Sequence, residues 1–368
     1  MKKIAVVTGT RAEYGIWRSV LAGIRGSKKL RLQLVVTGMH LQKEFGWTVD
    51  EIVEPIVAKV PMYRSRQSAG ESLARGIAGM TKAFVKLRPD LVMVLGDRLE
   101  IFAAAAAALA CQVPLAHVHG GEVAPGQWDE QIRHAVTKMA HLHFCATKVA
   151  GERIVRMGED RRAVHVVGAP ALDGVAAFLA GMAPAPDCHR GASNSICLLH
   201  PSSADDAMER RRTLLVLRAL EGRDFTVVGP NNDPGHGGIL AAYRERKVPV
   251  VMSLSQTEFW RRLAGCEFLI GNSSSGILEA SSFGVPVVNV GDRQAGRERN
   301  GNVVDVAWEA GVGGIRKAIG RALRRRGRCE NLYGDGRAAE RIVRVLEGLK
   351  FPLSIVKGFH ELNEPLRR

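Results

Sequence analysis

The chain has 368 residues, 46% of them apolar and 24% charged, which describes a globular protein too long for one ordinary core and so expected to form two domains. Six scattered cysteines with no Cys-x-x-Cys pair argue against a thiolate metal site or a disulfide framework and fit a reducing cytoplasm. The longest apolar run (101–111) is mostly alanine and too short to span a bilayer, and the N-terminal run is too short for a signal sequence, so a soluble protein is expected.

Residues 3–8 (KIAVVT) predict a buried parallel strand. In the GTRAEYG stretch that follows, Gly9 and Gly15 bracket a loop opening a helix, where backbone N–H groups can face an anion and Arg11 can add a bidentate contact. An exposed loop arginine would read the same way. Residues 31–37 predict a second strand, followed by Gly38-Met39-His40. A helix is expected over 71–88, ended by Pro89, and a third strand over 91–95, ending in Gly96-Asp97-Arg98.

A strand over 115–118 then enters the stretch on which the functional reading turns, HVHGGEVAPGQWDEQIRHAVTKMAHLHF (117–144). It carries the carboxylates Glu122, Asp129 and Glu130, and two glycines sit where the strand stops. Ligands gather at the carboxyl ends of strands in α/β sheets, so this is the layout of an active-site loop. Residues 131–141 predict a helix, 142–146 a strand, and 164–168 the last strand of the set. The alternation predicts a doubly wound parallel sheet.

Proline, glycine and small polar residues over 180–194 mark a linker. The α/β alternation then restarts: strands over 196–201, 225–233, 250–255, 268–271, 285–293 and 302–306, with helices near 206–221 and 256–264. Domains are therefore expected at 1–180 and 190–350, with a tail over 351–368 packing back on the first. The net charge of +15 concentrates in Arg210-Arg211-Arg212 and in 316–328, runs of helical spacing without interleaved aromatics. These suit solvated helix faces better than a nucleic-acid surface. Gly-x-Gly-x-x-Gly is absent from the strand–helix turns, and neither a metal nor a cofactor is expected. The stretch Gly271-Asn272-Ser273-Ser274-Ser275-Gly276-Ile277-Leu278-Glu279 reads as a strand end, a polar loop and a helix start. Such a loop can hold a diphosphate, with Glu279 taking ribose hydroxyls; a serine-rich cap is the plainer alternative.

GTRAEYG, VTGMHL, GDRLEIFAAA, HVHGGE, DEQIRHAVTKMAHLHF, GNSSSGILEA, VNVGDRQAGR and LYGDGRAAERIV occur in this order. Together, over roughly residues 1–350, they resemble the hydrolysing UDP-N-acetylglucosamine 2-epimerases of the sialic-acid and legionaminic-acid pathways. The resemblance implies a GT-B architecture, two Rossmann-like domains with parallel sheets facing across a cleft. It implies a UDP-sugar substrate, no metal or nicotinamide, and a homodimer or homotetramer. The implied reaction removes the carbon-2 proton and expels UDP to leave a glycal. Water then adds, and the free sugar emerges with carbon 2 inverted, as in N-acetylmannosamine.

By this resemblance Asp97 and Asp129 fall on catalytic acids, and Glu122 and Glu130 belong to the same loop. Arg133 and His200 match a family arginine and histidine near the sugar or phosphate. Arg11, Arg98, Ser273, Ser274, Ser275, Gly276, Glu279 and Arg293 match nucleotide-binding positions, and Asn231 lines the sugar side. His119 departs from relatives that carry a catalytic glutamate there, so Glu122, Asp129 and His119 all remain candidates for the base. Pro-Ser-Ser-Ala-Asp after His200 also departs from the family pattern, which leaves UDP-N-acetylglucosamine, slightly favoured, and a UDP-2,4-diacetamido-trideoxyhexose both open as substrates. A GT-B glycosyltransferase using a UDP-sugar donor is the alternative reading.

Overall fold

The valine- and leucine-rich runs become parallel strands buried on both faces, which is why they read as continuous apolar segments rather than alternating ones. The computed structural model describes every residue except 124–128, 183–193, 232, 253, 328 and 362–368, and the side chain of Phe45. The chain divides into two compact units, Met1–Gly174 together with Tyr333–Arg368, and Val175–Leu332.

The first unit contains β1 (Lys2–Thr8), α1 (Arg11–Gly26), β2 (Leu30–Thr37), β3 (Ile56–Val60), α2 (Ala69–Leu87), β4 (Leu91–Leu95) and α3 (Leu99–Ala110). It continues through β5 (Leu115–Val118), α4 (Asp129–Met139), β6 (Leu142–Cys145), α5 (Lys148–Arg156) and β7 (Val164–Val166). Its seven strands lie in the order β3-β2-β1-β4-β5-β6-β7, every pair parallel. Alternate residues of β1 serve opposite layers: Ile4 and Val6 pack with Trp17, Leu21 and Ile24 of α1, and Ala5 and Val7 with Met80, Phe84 and Ala104 of α2 and α3.

The chain crosses into the second unit within α6 (Ala171–Gly181). There β8 (Asn194–Leu198), α7 (Asp206–Ala219), β9 (Asp224–Val228), α8 (His236–Glu245), β10 (Val250–Val251) and α9 (Gln256–Ala264) come first. Next are β11 (Leu269–Gly271), α10 (Ser274–Leu278), β12 (Val287–Val290), β13 (Val303–Val306) and α11 (Gly311–Leu323). Its sheet order, β10-β9-β8-β11-β12-β13, repeats the first six positions of the other sheet. Strand order reverses between β1 and β4 in one unit and between β8 and β11 in the other. These are the two switch points where α/β sheets bind ligands.

The structure corrects the expected boundaries. The first unit reclaims the chain from Tyr333, not from 351, because α12 (Ala338–Gly348) buries Ala339, Ile342 and Leu346 in the layer formed by α1. The first crossover falls at Gly174, ahead of the expected linker, most of which lies outside the described residues. An unexpected strand, β3, occupies the sheet edge, where its alternating exposure hides it among loop-like residues. The tail then runs back along the first unit. Lys357 donates to the carbonyls of Lys138 (2.6 Å) and Ala140 (2.5 Å) at the end of α4 and pairs with buried Glu159 at 2.6 Å. A cation there complements the helix C-terminus. Among the described residues no helix is long and apolar enough to cross a membrane.

Candidate active site

Helix α4 starts two residues earlier than expected, which puts Asp129 and Glu130 in its first turn, where the helix dipole favours negative charge. One turn on, Arg133 is buried at 5% exposure and gathers the neighbouring acids. Its Nε donates to Asp97 Oδ2 at 2.8 Å, and Nη2 donates to the same oxygen. Nη1 donates to Glu130 Oε2 at 2.5 Å and to the Glu122 carbonyl at 3.1 Å. Asp97 follows β4 and Glu122 follows β5, so one guanidinium ties the ends of two strands to α4. Asp129 is pushed above the usual carboxylate range, first by burial and then by the charge of Asp97, with Arg98 and Arg133 opposing.

The turn after β5 is built around two histidines. His117 is fully buried between the Gly96 carbonyl, 2.8 Å from Nε2, and the Thr137 hydroxyl, 3.1 Å from Nδ1. A carbonyl only accepts, so Nε2 carries the proton; burial pulls the ring down to about 3 and keeps it neutral. His117 is therefore a packing residue. His119 is different. It adopts a left-handed backbone, φ 63°, rare for a non-glycine residue. Its Nδ1 lies 2.6 Å from Glu122 Oε1, and its Nε2 has no partner among the described residues. The carboxylate fixes the tautomer with the proton on Nδ1 and leaves the Nε2 lone pair available. Gly121 makes this turn possible: at φ 76°, a Cβ there would lie 2.3 Å from the Ala150 carbonyl oxygen.

The second unit has its own polar cluster, at the β8–β11 switch point. His200 accepts the Asn231 backbone N–H at Nδ1 (3.0 Å), so Nε2 is the donor. Burial, with Arg293 second, pulls His200 down to about 4, which makes it a neutral hydrogen-bond donor and not a cation. Asn272, buried and not singled out from the sequence, clasps the His200 backbone from both sides at 2.7 and 2.8 Å. Its carbonyl accepts from Arg293 (3.2 Å) and Gln294 (2.9 Å). The Ser273 hydroxyl caps α10 and lies 2.7 Å from the Ser275 hydroxyl. Trp260 Nε1 donates to Glu279 at 2.6 Å, and burial lifts that carboxyl to about 7.

Some expectations change. Helix α10 has only five residues, and Glu279 is its C-cap. Gly276 is needed for packing, since a Cβ would press on Val287 and Leu269 at 3.1 and 3.2 Å. Ser274 is the first residue of α10. Arg11 pairs with Glu51 at 2.8 Å on an exposed surface and makes no contact with the acid cluster. Asn231 donates to Asp233 at 2.5 Å, while Asn232 and the loop residues 124–128 lie outside the described residues. No group of three metal-type ligands occurs among the described residues.

The repeated Rossmann-like unit, with an acid–imidazole cluster in one copy and a hydroxyl- and arginine-lined loop in the other, has the GT-B-type fold. The chain belongs to the UDP-N-acetylglucosamine 2-epimerase family, whose sequence pattern matches residues 22–347. It is 36% identical to the UDP-N,N'-diacetylbacillosamine 2-epimerase (hydrolyzing) of Legionella pneumophila, over 94% of this chain and 96% of that one. It is 33% identical to the UDP-N-acetylglucosamine 2-epimerase of Neisseria meningitidis, over 84% and 85%. In fold it is similar to the Staphylococcus aureus MnaA–UDP structure (TM-score 0.78, 22% identity, 94% and 96% coverage). It is equally similar to the Neisseria meningitidis UDP-GlcNAc 2-epimerase bound to UDP-GlcNAc (TM-score 0.78, 19% identity, 94% and 99%).

Proposed function

We propose that the protein is a hydrolysing 2-epimerase that converts a UDP-2-acetamido sugar and water to UDP and the free 2-epimeric sugar. The observation that carries this reading is the His119–Glu122 pair beside the Asp97–Arg133 ion pair, an acid–base assembly suited to proton transfer at carbon 2. A carbon-2 hydrogen is barely acidic, so the base must be close, oriented and unprotonated. In this reading His119 Nε2 takes that proton, and Glu122 orients the ring and stabilises the imidazolium. The C1–O bond breaks as the proton leaves, UDP carries away the electron pair, and the glycal remains. Water oxygen then bonds to carbon 1, with Asp97 accepting its proton, and Asp129, raised by burial, protonates carbon 2 from the opposite face.

The departing UDP needs donors for its growing charge. Arg98, Arg293, the His200 Nε2–H and the Ser273 hydroxyl are assigned to it, and Glu279 to the ribose. The neutral His200 suits this role, because it donates without having to stay protonated at pH 7.

The hydrolysing outcome is supported by similarity over nearly the whole chain to the Legionella UDP-N,N'-diacetylbacillosamine 2-epimerase (hydrolyzing). The same similarity makes the 4-acetamido substrate the first to test, ahead of UDP-N-acetylglucosamine. The test is turnover of each UDP-sugar in deuterated water, following UDP release and carbon-2 labelling by NMR. Release of UDP together with a 2-epimeric, deuterated free sugar supports the proposal. A product still attached to UDP would make the enzyme a non-hydrolysing epimerase.

A further inference from the structure

Among the described residues no carboxylate is more buried than Glu100, at 0% exposure. It belongs to the first turn of α3, yet it points into the β1–β4 switch point rather than to solvent. The strand ends make room for it. A Cβ on Gly38 would lie 2.6 Å from the Glu100 Cγ and Oε1, and one on Gly9 would lie 3.0 Å from Cγ. Neither Glu100 oxygen meets a donor in hydrogen-bond geometry.

A second buried acid shares the space. Glu13, in the first turn of α1, is 5% exposed. Its Oε2 accepts the Gly9 backbone N–H at 2.7 Å, and its Oε1 has no donor. Between the two acids sits Arg98, with Nε 3.5 Å from Glu100 and 4.0 Å from Glu13. That Nε is itself buried without an acceptor in hydrogen-bond geometry, while the side chain as a whole remains 42% exposed. Two carboxylates facing one guanidinium at this depth cannot both ionise cheaply. Burial, reinforced by the charge of Glu100, pushes the Glu13 carboxyl up to about 8, against the opposing Gly9 amide and Arg98. Asp97 from the end of β4 acts in the same direction. Tyr63, beyond β3, faces Glu100 and is raised by burial and by that charge, and Asp129 of α4 acts on Arg98. His40, beyond β2, donates its backbone N–H to the Gly9 carbonyl and is kept neutral by burial.

We propose that Glu13 and Glu100 form a buried acid pair that positions Arg98 and sets the charge this switch point presents to an anionic substrate. With Glu13 protonated, it adds no negative charge behind Arg98. When that proton is lost, a further negative charge stands behind Arg98 and opposes the binding of an anion. The acid pair positions and does not itself touch the reacting atoms. The kinetic consequence rests on the proposed UDP-sugar reaction, whereas the protonation state does not.

The test combines infrared difference spectra of the unliganded protein between pH 7 and 9.5 with kcat and KM over the same range. UDP-N-acetylglucosamine or its 4-acetamido-trideoxy analogue serves as substrate. In a Glu279→Gln background, which removes the other carboxyl raised to about 7, a protonated-carboxyl C=O band is expected at pH 7 that vanishes on the alkaline side, and in wild type KM is expected to rise roughly tenfold with kcat changing less. Glu13→Gln removes both the band and the KM rise. Glu100→Gln is expected to lower the pH at which the band is lost, because the charge of Glu100 adds to burial in holding the Glu13 proton. The double variant frees Arg98 and raises KM at every pH. Absence of the band at pH 7 in the Glu279→Gln background would overturn the proposal, as would an alkaline KM rise that survives in Glu13→Gln. If neither UDP-sugar turned over, the proposed reaction would fail and the band would still decide the acid pair.

Discussion

His119 and Glu122 are joined by a 2.6 Å contact between an imidazole nitrogen and a carboxylate oxygen at the turn after β5. The pair leaves the far ring nitrogen unpartnered among the described residues, and in the proposed reaction that nitrogen is the carbon-2 base. The proposed reaction gives Glu122 and Asp129, the other candidates, orienting and acid roles. Removing the base is expected to cost more than removing its orienter. His119→Ala should lower kcat by about 10³-fold or more and Glu122→Gln by about 10–100-fold. UDP affinity, measured by calorimetry, should stay within about threefold in both. Equal losses in the two variants would reassign the base to Glu122.

Arg133 is the structural hub of the same cluster. Its side chain is 6% exposed and holds Asp97, Glu130 and the Glu122 carbonyl together. Arg133→Met should destabilise the fold by about 1–3 kcal/mol, because it removes the charged hydrogen bonds that a buried guanidinium makes to the partly buried Asp97 and Glu130. Urea unfolding measures this. Arg133→Lys should recover only part, since an ammonium cannot reproduce a fork bonded to two acids.

Glu13 makes a stability prediction separate from its effect on binding. Its folded value, about 8, lies above the ordinary carboxyl value of 4.5. Between those values the unfolded chain has lost a proton that the native protein keeps, so stability falls as pH rises from 4.5 to 8 and then levels off. Glu13→Gln removes that decline. Its melting temperature should match wild type near pH 4.5, exceed it increasingly toward pH 8, and hold the difference above. A constant offset at all pH values would contradict the buried, protonated form.

Glu279 and His200 predict how nucleotide binding depends on pH. Burial lifts Glu279 to about 7, and a ribose diol donates better to its carboxylate than to its acid. UDP affinity should therefore rise from pH 6 to 8, and Glu279→Gln should abolish the rise. His200, at about 4, contributes no titration in this window. A fall in UDP affinity over the same range would mean that His200 binds as a cation.

Much of this architecture was legible because buried parallel strands are written as apolar runs ending in glycine and a polar residue. Gly96-Asp97 and Gly271-Asn272 mark the two switch points for that reason. Strand β3 was not legible: a sheet edge exposes Val57 and Lys59, and its five residues look like loop. Nor was the placement of α12, whose apolar stripe fits either sheet until α1 is seen to need covering. Within the site, Asp97, His119, Glu122, Glu130 and Arg133 were named from the chain, and the structure links them by hydrogen bonds. Glu100 was missed because an acid in the first turn of a helix normally faces water. Only the space left by Gly9 and Gly38 reveals that it turns inward. Asn272 was passed over because an asparagine in a serine loop resembles a cap, and its clasp on His200 spans 72 residues of chain.

The most direct measurement is a single-turnover reaction of the enzyme with UDP-2,4-diacetamido-trideoxyhexose and with UDP-N-acetylglucosamine in deuterated water, read by NMR at sugar carbons 1 and 2. The account predicts UDP release, a free sugar with carbon 2 inverted, and one deuterium at that carbon, with His119→Ala showing neither release nor label. UDP release without deuterium at carbon 2 would contradict it, because the leaving group would then depart without the proton transfer that His119 and Glu122 are arranged to perform.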